Sequence, residues 1–347
     1  MTGRDQQRHA FVRDLTGRDS RNWRALPGDA SSRRYFRLPA AAPGPCLLMD
    51  VPPGSQDLAR YVAIAAHLRG LGLSAPLVHG ADPDRGLALI EDFGSDTYTN
   101  LLARGHDETA LYELAIDTLV VLHGAETGTR IDLPPYDLET LIREAMLFAD
   151  WFAPVLPGYD RSGGFRSQYQ TAWRAALTDA AARREVLVLR DYHVDNLMLL
   201  ADRGGVRACG LLDFQDALIG SAAYDVMSLT QDARRDVSRT LESHLLERYF
   251  TGRRAGRGEV DRADFLRCYH LLAAQRHAKV AGIFLRLSRR DGKHRYLAHV
   301  PRVLRLLRRA LQGAGLDDLT RLLDRNLPGW AAWTPPQTPV SKVPTDV

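Results

Sequence analysis

The chain has 347 residues, of which 46 are Lys or Arg and 42 are Asp or Glu, for a formal net charge of +4. Only Lys279, Lys293 and Lys342 are lysines, so arginine supplies the other 43 cations. That excludes any mechanism needing an early lysine, such as a Walker A phosphate clamp or a strand lysine in an N-terminal nucleotide-binding lobe. Arginine forks onto phosphate or carboxylate but cannot act as an amine base. With 45% hydrophobic and 25% charged residues the chain reads as a soluble globular protein of two domains. The net charge is too mild to predict a nucleic-acid partner. Cys46, Cys209 and Cys268 are odd in number and widely spaced, which argues against disulfides or zinc and for a reducing cytosol. Met1 to Arg13 lacks an apolar core of a signal peptide, and no run reaches the roughly 18 apolar residues of a membrane span. A cytoplasmic protein is expected.

The first ninety residues read as short strands around one helix. Arg33 to Leu38 follows the turn-like Pro27 to Ser32, and Cys46 to Val51 is an apolar run closed by Pro52-Pro53-Gly54. Leu58 to Leu71 has helical apolar spacing, and Gly86 to Ile90 gives another strand before the connector Glu91-Asp92-Phe93-Gly94. Helices are then predicted over Leu111 to Gly124, Leu138 to Phe152 and Ser167 to Arg184. A β interruption follows: Val186 to Leu189, Leu197 to Leu200, the turn Asp202-Arg203-Gly204-Gly205, and Val206 to Asp213. Helices return near 222–233, 236–250, 261–288, 296–312 and 316–325. The tail from Trp333, with four prolines, reads as disordered. The pattern is α+β.

The chemistry concentrates in Arg190-Asp191-Tyr192-His193-Val194-Asp195-Asn196 and Leu211-Leu212-Asp213-Phe214-Gln215. A hairpin between them would set Asn196 beside Asp213, with Asp191 facing the same space. One carboxylate and one amide oxygen suit Mg²⁺, and a separate carboxylate can orient a hydroxyl and take its proton. That is the division of labour of phosphoryl transfer, where positioning and charge neutralisation supply most of the catalysis.

Leu189 to Asn196, Leu211 to Gln215 and Ala223-Tyr224-Asp225-Val226 resemble the aminoglycoside phosphotransferase and choline kinase superfamily. That family usually has His-Gly-Asp-Leu-His-Pro-x-Asn; here the Asp, second His and Asn remain, while the leading His-Gly is Leu189-Arg190. The resemblance runs over about 20–312. It implies a two-lobed protein-kinase-like fold: an N-lobe sheet with one helix (1–90), a hinge (91–94), a mainly helical C-lobe (95–332) and the tail (333–347). It also implies ATP held at the hinge by Glu91, Asp92 and Phe93, Asp191 as base, Mg²⁺ on Asn196 and Asp213, and Asp225 as a structural residue. A narrower likeness lies in Asp29 to Arg37, Met49 to Pro53 and Ala274 to Leu287, which are similar to the bacterial anomeric amino-sugar kinases of cell-wall recycling. It implies phosphorylation of the C1 hydroxyl of N-acetylmuramate or N-acetylglucosamine, feeding UDP-amino-sugar synthesis in peptidoglycan recycling.

The chain departs from the superfamily at its lysine. Met49 stands at the expected position, and Leu58 to Leu71 has no acidic partner for a lysine. Arg33 or Arg34, beside Ser31 and Ser32, is the expected substitute on the phosphates. His193, Asp195, Asp216 and Arg276 are candidate substrate contacts, Arg276 for a carboxylate. Same-fold kinases of an aminoglycoside, choline or homoserine are alternatives, as is a nucleotide-binding module without catalysis. The arginine-rich 261–312 disfavours a polycationic acceptor. A small-molecule partner and a monomer, with neither nucleic acid nor membrane, are expected.

Overall fold

The computed structural model describes residues 3–17, 23–27, 33–39, 44–54, 56–256 and 260–336. Ser31, Ser32 and the end of the proline-rich tail lie outside them. The chain divides into two compact units, one of Met1–Ile131 with Asp191–Ala217, the other of Asp132–Arg190 with Leu218–Val347. Among the described residues no helix is long and apolar enough to cross a membrane. The three cysteines are free and buried.

The first unit opens with helix α1 (Gly3–Thr16), then strands β1 (Arg24–Ala25), β2 (Arg34–Arg37) and β3 (Cys46–Asp50), helix α2 (Gln56–Gly70), and strands β4 (Val78–Asp82) and β5 (Leu87–Glu91). The five strands form one sheet in the order β1-β2-β3-β5-β4, antiparallel at each pairing. Helix α1 is not announced by apolar spacing, because few of its residues are apolar and it is anchored by charge. Arg4 and Arg8 converge on the buried Asp50, with Arg8 Nε at 2.6 Å, while Phe11 and Val12 pack with Phe36, Leu48 and Leu89. Helices α3 (Tyr98–Ala103) and α4 (Glu108–Gly124) follow.

The second unit begins with α5 (Leu138–Leu147) and α6 (Phe165–Ala181), then β6 (Val186–Val188). The chain returns to the first unit for β7 (Leu197–Leu199) and β8 (Cys209–Leu211), an antiparallel pair. It comes back to the second for β9 (Leu218–Gly220), which pairs with β6, and for helices α7 (Ala223–Thr230), α8 (Arg239–Ala255), α9 (Arg262–Arg289), α10 (Val300–Gly313) and α11 (Asp317–Asn326). Two predicted elements change form. The Val206 to Asp213 strand begins only at Cys209, since Gly205–Ala208 is a 3₁₀ turn; the Leu138 to Phe152 helix becomes a π turn at Phe148–Phe152. The long α9 packs against α10, α5 and α7, and carries Gln275, Arg276 and Lys279 into the interior.

Candidate active site

Within the first unit the β7–β8 register pairs Leu197 with Leu211. Asn196 and Leu212 are therefore opposite, and the Leu212 N–H donates to the Asn196 carbonyl at 3.0 Å. Asp213 follows immediately, so the predicted hairpin does carry both residues to one end. The Asn196 side-chain amide donates to the Asp191 carbonyl at 2.9 Å, which ties the loop across its five-residue span. With that nitrogen committed, Oδ1 is the amide atom left for a cation. Tyr192 fixes the loop from beneath, its hydroxyl donating to the Ala115 carbonyl at 2.7 Å.

Asp213 has φ of 57°, a left-handed conformation that a non-glycine residue rarely holds, and one that concentrates at functional sites. Burial pushes its carboxyl up, the nearby Asp191 carboxylate adds to that, and Arg33 opposes it. Arg33 Nη2 lies 2.9 Å from Asp213 Oδ1, and Gln215 Nε2 donates to the same oxygen at 3.0 Å and to Asp216 at 3.2 Å. The buried Gln215 is a site residue that sequence reasoning missed; the only signal was its place two residues after Asp213.

Strand parity separates the two arginines. Tyr35 faces Met49, and Arg33, two residues away, shares that face; Arg34 shares the other face with Phe36 and lies 5.3 Å over its ring. Met49 is buried, and its neighbour Asp50 points to α1. Of the pair expected to replace a lysine, only Arg33 reaches Asp213.

At the expected hinge, the Glu91 and Asp92 N–H groups already donate to the Leu77 and Pro45 carbonyls, at 2.8 and 3.0 Å. The Glu91 carboxylate holds Arg203, and Asp92 holds Arg37 together with the Gly94 N–H. The Phe93 ring lies against Gly210, where a Cβ would come within 2.9 Å of it, and under the Arg203 guanidinium at 5.1 Å. A hinge contact would therefore have to use carbonyl groups or Phe93.

His193 is buried, with Nε2 at 3.5 Å from the Asn196 amide, and Nδ1 at 4.0 Å from Asp195. Asp195 accepts from the Thr99 hydroxyl, and Asp216 is exposed. In the second unit, Asp225 is fully buried and accepts from the Leu189 and Arg190 N–H groups at 2.6 and 2.9 Å. Arg276, a candidate for a substrate carboxylate, donates to the Arg190 carbonyl at 2.9 Å and to Tyr224 at 3.2 Å.

Among the described residues no three His, Cys, Asp or Glu side chains are grouped to hold a metal. The donor set is one carboxylate and one amide. That fits Mg²⁺, which keeps several waters and takes one or two protein oxygens beside substrate phosphates.

A model of the "phosphotransferase enzyme family" matches residues 22–266. The chain belongs to that family. This phosphotransferase is 36% identical over 338 residues to an N-acetylmuramate/N-acetylglucosamine kinase of Caulobacter vibrioides, covering 88% of this chain and 92% of the relative. It is also 36% identical over 284 residues to a protein of that name from Neisseria meningitidis, covering 81% and 83%. Among solved structures, a choline/ethanolamine kinase family protein from Mesorhizobium loti matches with a TM-score of 0.59 at 16% identity, covering 92% of this chain and 97% of that one. An aminoglycoside phosphotransferase complexed with GDP and kanamycin matches at 0.58 and 14%, covering 87% and 97%. These likenesses carry the fold: the phosphotransferase has the α+β, protein-kinase-like architecture.

Proposed function

We propose that this phosphotransferase is an ATP-dependent kinase of the anomeric hydroxyl of N-acetylmuramate and N-acetylglucosamine. The relatives of that name, at 36% identity over most of both chains, support the amino-sugar acceptor. The observation that carries the chemistry is the β7–β8 register, which brings Asn196 and Asp213 to one end of the hairpin, where the segment leading into β7 carries Asp191. Asp191 orients the sugar hydroxyl and takes its proton. Asn196 Oδ1 and the Asp213 carboxylate hold Mg²⁺, which neutralises phosphate charge when bound. Arg33 supplies the cation that lysine gives elsewhere, and Ser31 and Ser32, which precede it in the chain, contact the nucleotide. The hinge at 91–94 closes a nucleotide-binding lobe of residues 1–90 and seats the adenine. His193, Asp195 and Asp216 line the acceptor side, and the enzyme works as a cytoplasmic monomer.

Phosphate transfer from labelled ATP to a panel of amino sugars, aminoglycosides and choline tests the acceptor class. Transfer to the amino sugars alone is expected; transfer confined to choline or an aminoglycoside would overturn the assignment. Asp191→Asn is expected to abolish turnover while leaving the fold and ATP binding intact. Turnover close to wild type in that variant would remove Asp191 from the role of base.

A further inference from the structure

Residue 190 presents an unexplained cost. The superfamily usually has glycine there, and Arg190 has φ of 69°, where glycine is at ease and an L side chain is strained. Strain of this kind persists only where the surroundings over-determine it. The second unit supplies those surroundings in a closed ring that begins and ends on this one residue.

Arg190 Nη2 donates to Glu144 Oε1, and Lys279 Nζ donates to the same oxygen at 2.9 Å. The other Glu144 oxygen accepts from the Tyr136 hydroxyl and, at 3.3 Å, from Gln275. Burial alone would push the Glu144 carboxyl up, but Lys279 and Arg190 hold it down at about 2, so it stays a carboxylate. The Tyr136 and Tyr224 hydroxyls are 3.2 Å apart, and Arg276 Nη1 is 3.2 Å from the Tyr224 hydroxyl. Arg276 closes the ring by donating to the Arg190 carbonyl at 2.9 Å, with Ser228 Oγ at 3.4 Å. Asp225 fixes the Arg190 N–H. Side chain, N–H and carbonyl of Arg190 are thus all held, and that carbonyl belongs to the peptide bond leading into Asp191.

We propose that Arg190 is a positioning residue for Asp191, with Glu144 and Arg276 as its anchors. Arg190 keeps its strained turn because the side chain that causes the strain also fastens the peptide from which the base departs. Arg276 acts through this peptide. Lys279 neutralises Glu144, so the anchor is not a buried charge held by one partner. The role rests on reading Asp191 as the base.

Arg190→Gly tests it directly, since glycine takes the same φ without strain and Glu144 keeps Lys279 and Tyr136. The expected result, with N-acetylglucosamine as acceptor, is a fall in kcat of about ten- to a hundredfold, with KM for ATP within about twofold and the unfolding midpoint retained. Arg190→Lys, which returns a cation to Glu144, is expected to regain part of kcat. Glu144→Gln combined with Lys279→Met removes the anchor without stranding the Lys279 ammonium, leaves the partly exposed Arg190 without its carboxylate, and should lower kcat similarly. A kcat within about twofold of wild type in Arg190→Gly or in the double variant would overturn the proposal. Asp191→Asn in the same assay separates the two readings. An active Asp191→Asn overturns the base itself; an inactive one beside a fully active Arg190→Gly overturns only the positioning role.

Discussion

In the proposed function, Arg33 takes over a task from a residue of different chemistry. A lysine on β3 would put a point charge at Met49; Arg33, just before β2, brings a planar fork next to the carboxylate expected to hold metal. That fork opposes burial and Asp191, which push the Asp213 carboxyl up. Phosphate oxygens offer the same guanidinium a stronger acceptor set. Arg33→Ala is therefore expected to raise KM for ATP about tenfold or more, the usual worth of a hydrogen bond to a charged group. Arg34→Ala, on the α1 face, should leave KM for ATP within about twofold. Steady-state kinetics against ATP at saturating sugar decides between them. Equal effects from the two variants would refute the argument from strand parity.

At the scale of elements, the proposed Glu144 anchor depends on how closely α9 approaches α5. Gln275, Lys279 and Gly282 recur at i, i+4 and i+7 on one stripe of α9, and meet Leu141, Glu144 and Leu147 on α5. A Cβ at Gly282 would lie 2.2 Å from the Leu147 carbonyl, a backbone atom unable to step aside as a flexible side chain would. Gly282→Ala should gain about 1 kcal/mol of helix propensity and still lose stability, because overpacking costs about 1–3 kcal/mol and here strikes backbone. Chemical denaturation of the variant should show a lower midpoint, and kcat should fall as Lys279 is pushed off Glu144. A higher midpoint would show that the helices separate freely. The sequence displayed the helical periods of α5 and α9 and the apolar runs of the hairpin, because those patterns are local. It could not display the stripe-to-stripe match, which joins residues more than 130 positions apart. Nor could it display α1, whose attachment is two arginines on Asp50 rather than an apolar face.

For the molecule as a whole, the distribution of lysine is as informative as the motif. The grouping of Asn196 with Asp213 was legible because two apolar runs joined by a Gly-Gly turn read locally as a hairpin, and the proposed roles of Asp191, Asn196 and Asp213 follow from the residue types that phosphoryl transfer demands. The bond from Arg276 to the Arg190 carbonyl was not legible, since a guanidinium on a buried helix reads the same whether it faces a ligand or a carbonyl. Lys279 was legible only as a late lysine; the structure makes it a buried partner of Glu144. A kinase with a lysine on its phosphates loses turnover when amines are acylated, and nucleotide protects it. The reverse is expected here. Mild acylation of the native enzyme should modify Lys293 and spare Lys279, which becomes reactive only in denaturant, because its ammonium is enclosed and paired. Peptide mass spectrometry locates the modified amines, and kcat and KM for ATP of the acylated native enzyme should stay within about twofold of the untreated enzyme. Loss of turnover that ATP prevents would place a lysine on the phosphates after all, and with it return Arg33 to the status of an ion-pair partner of Asp213.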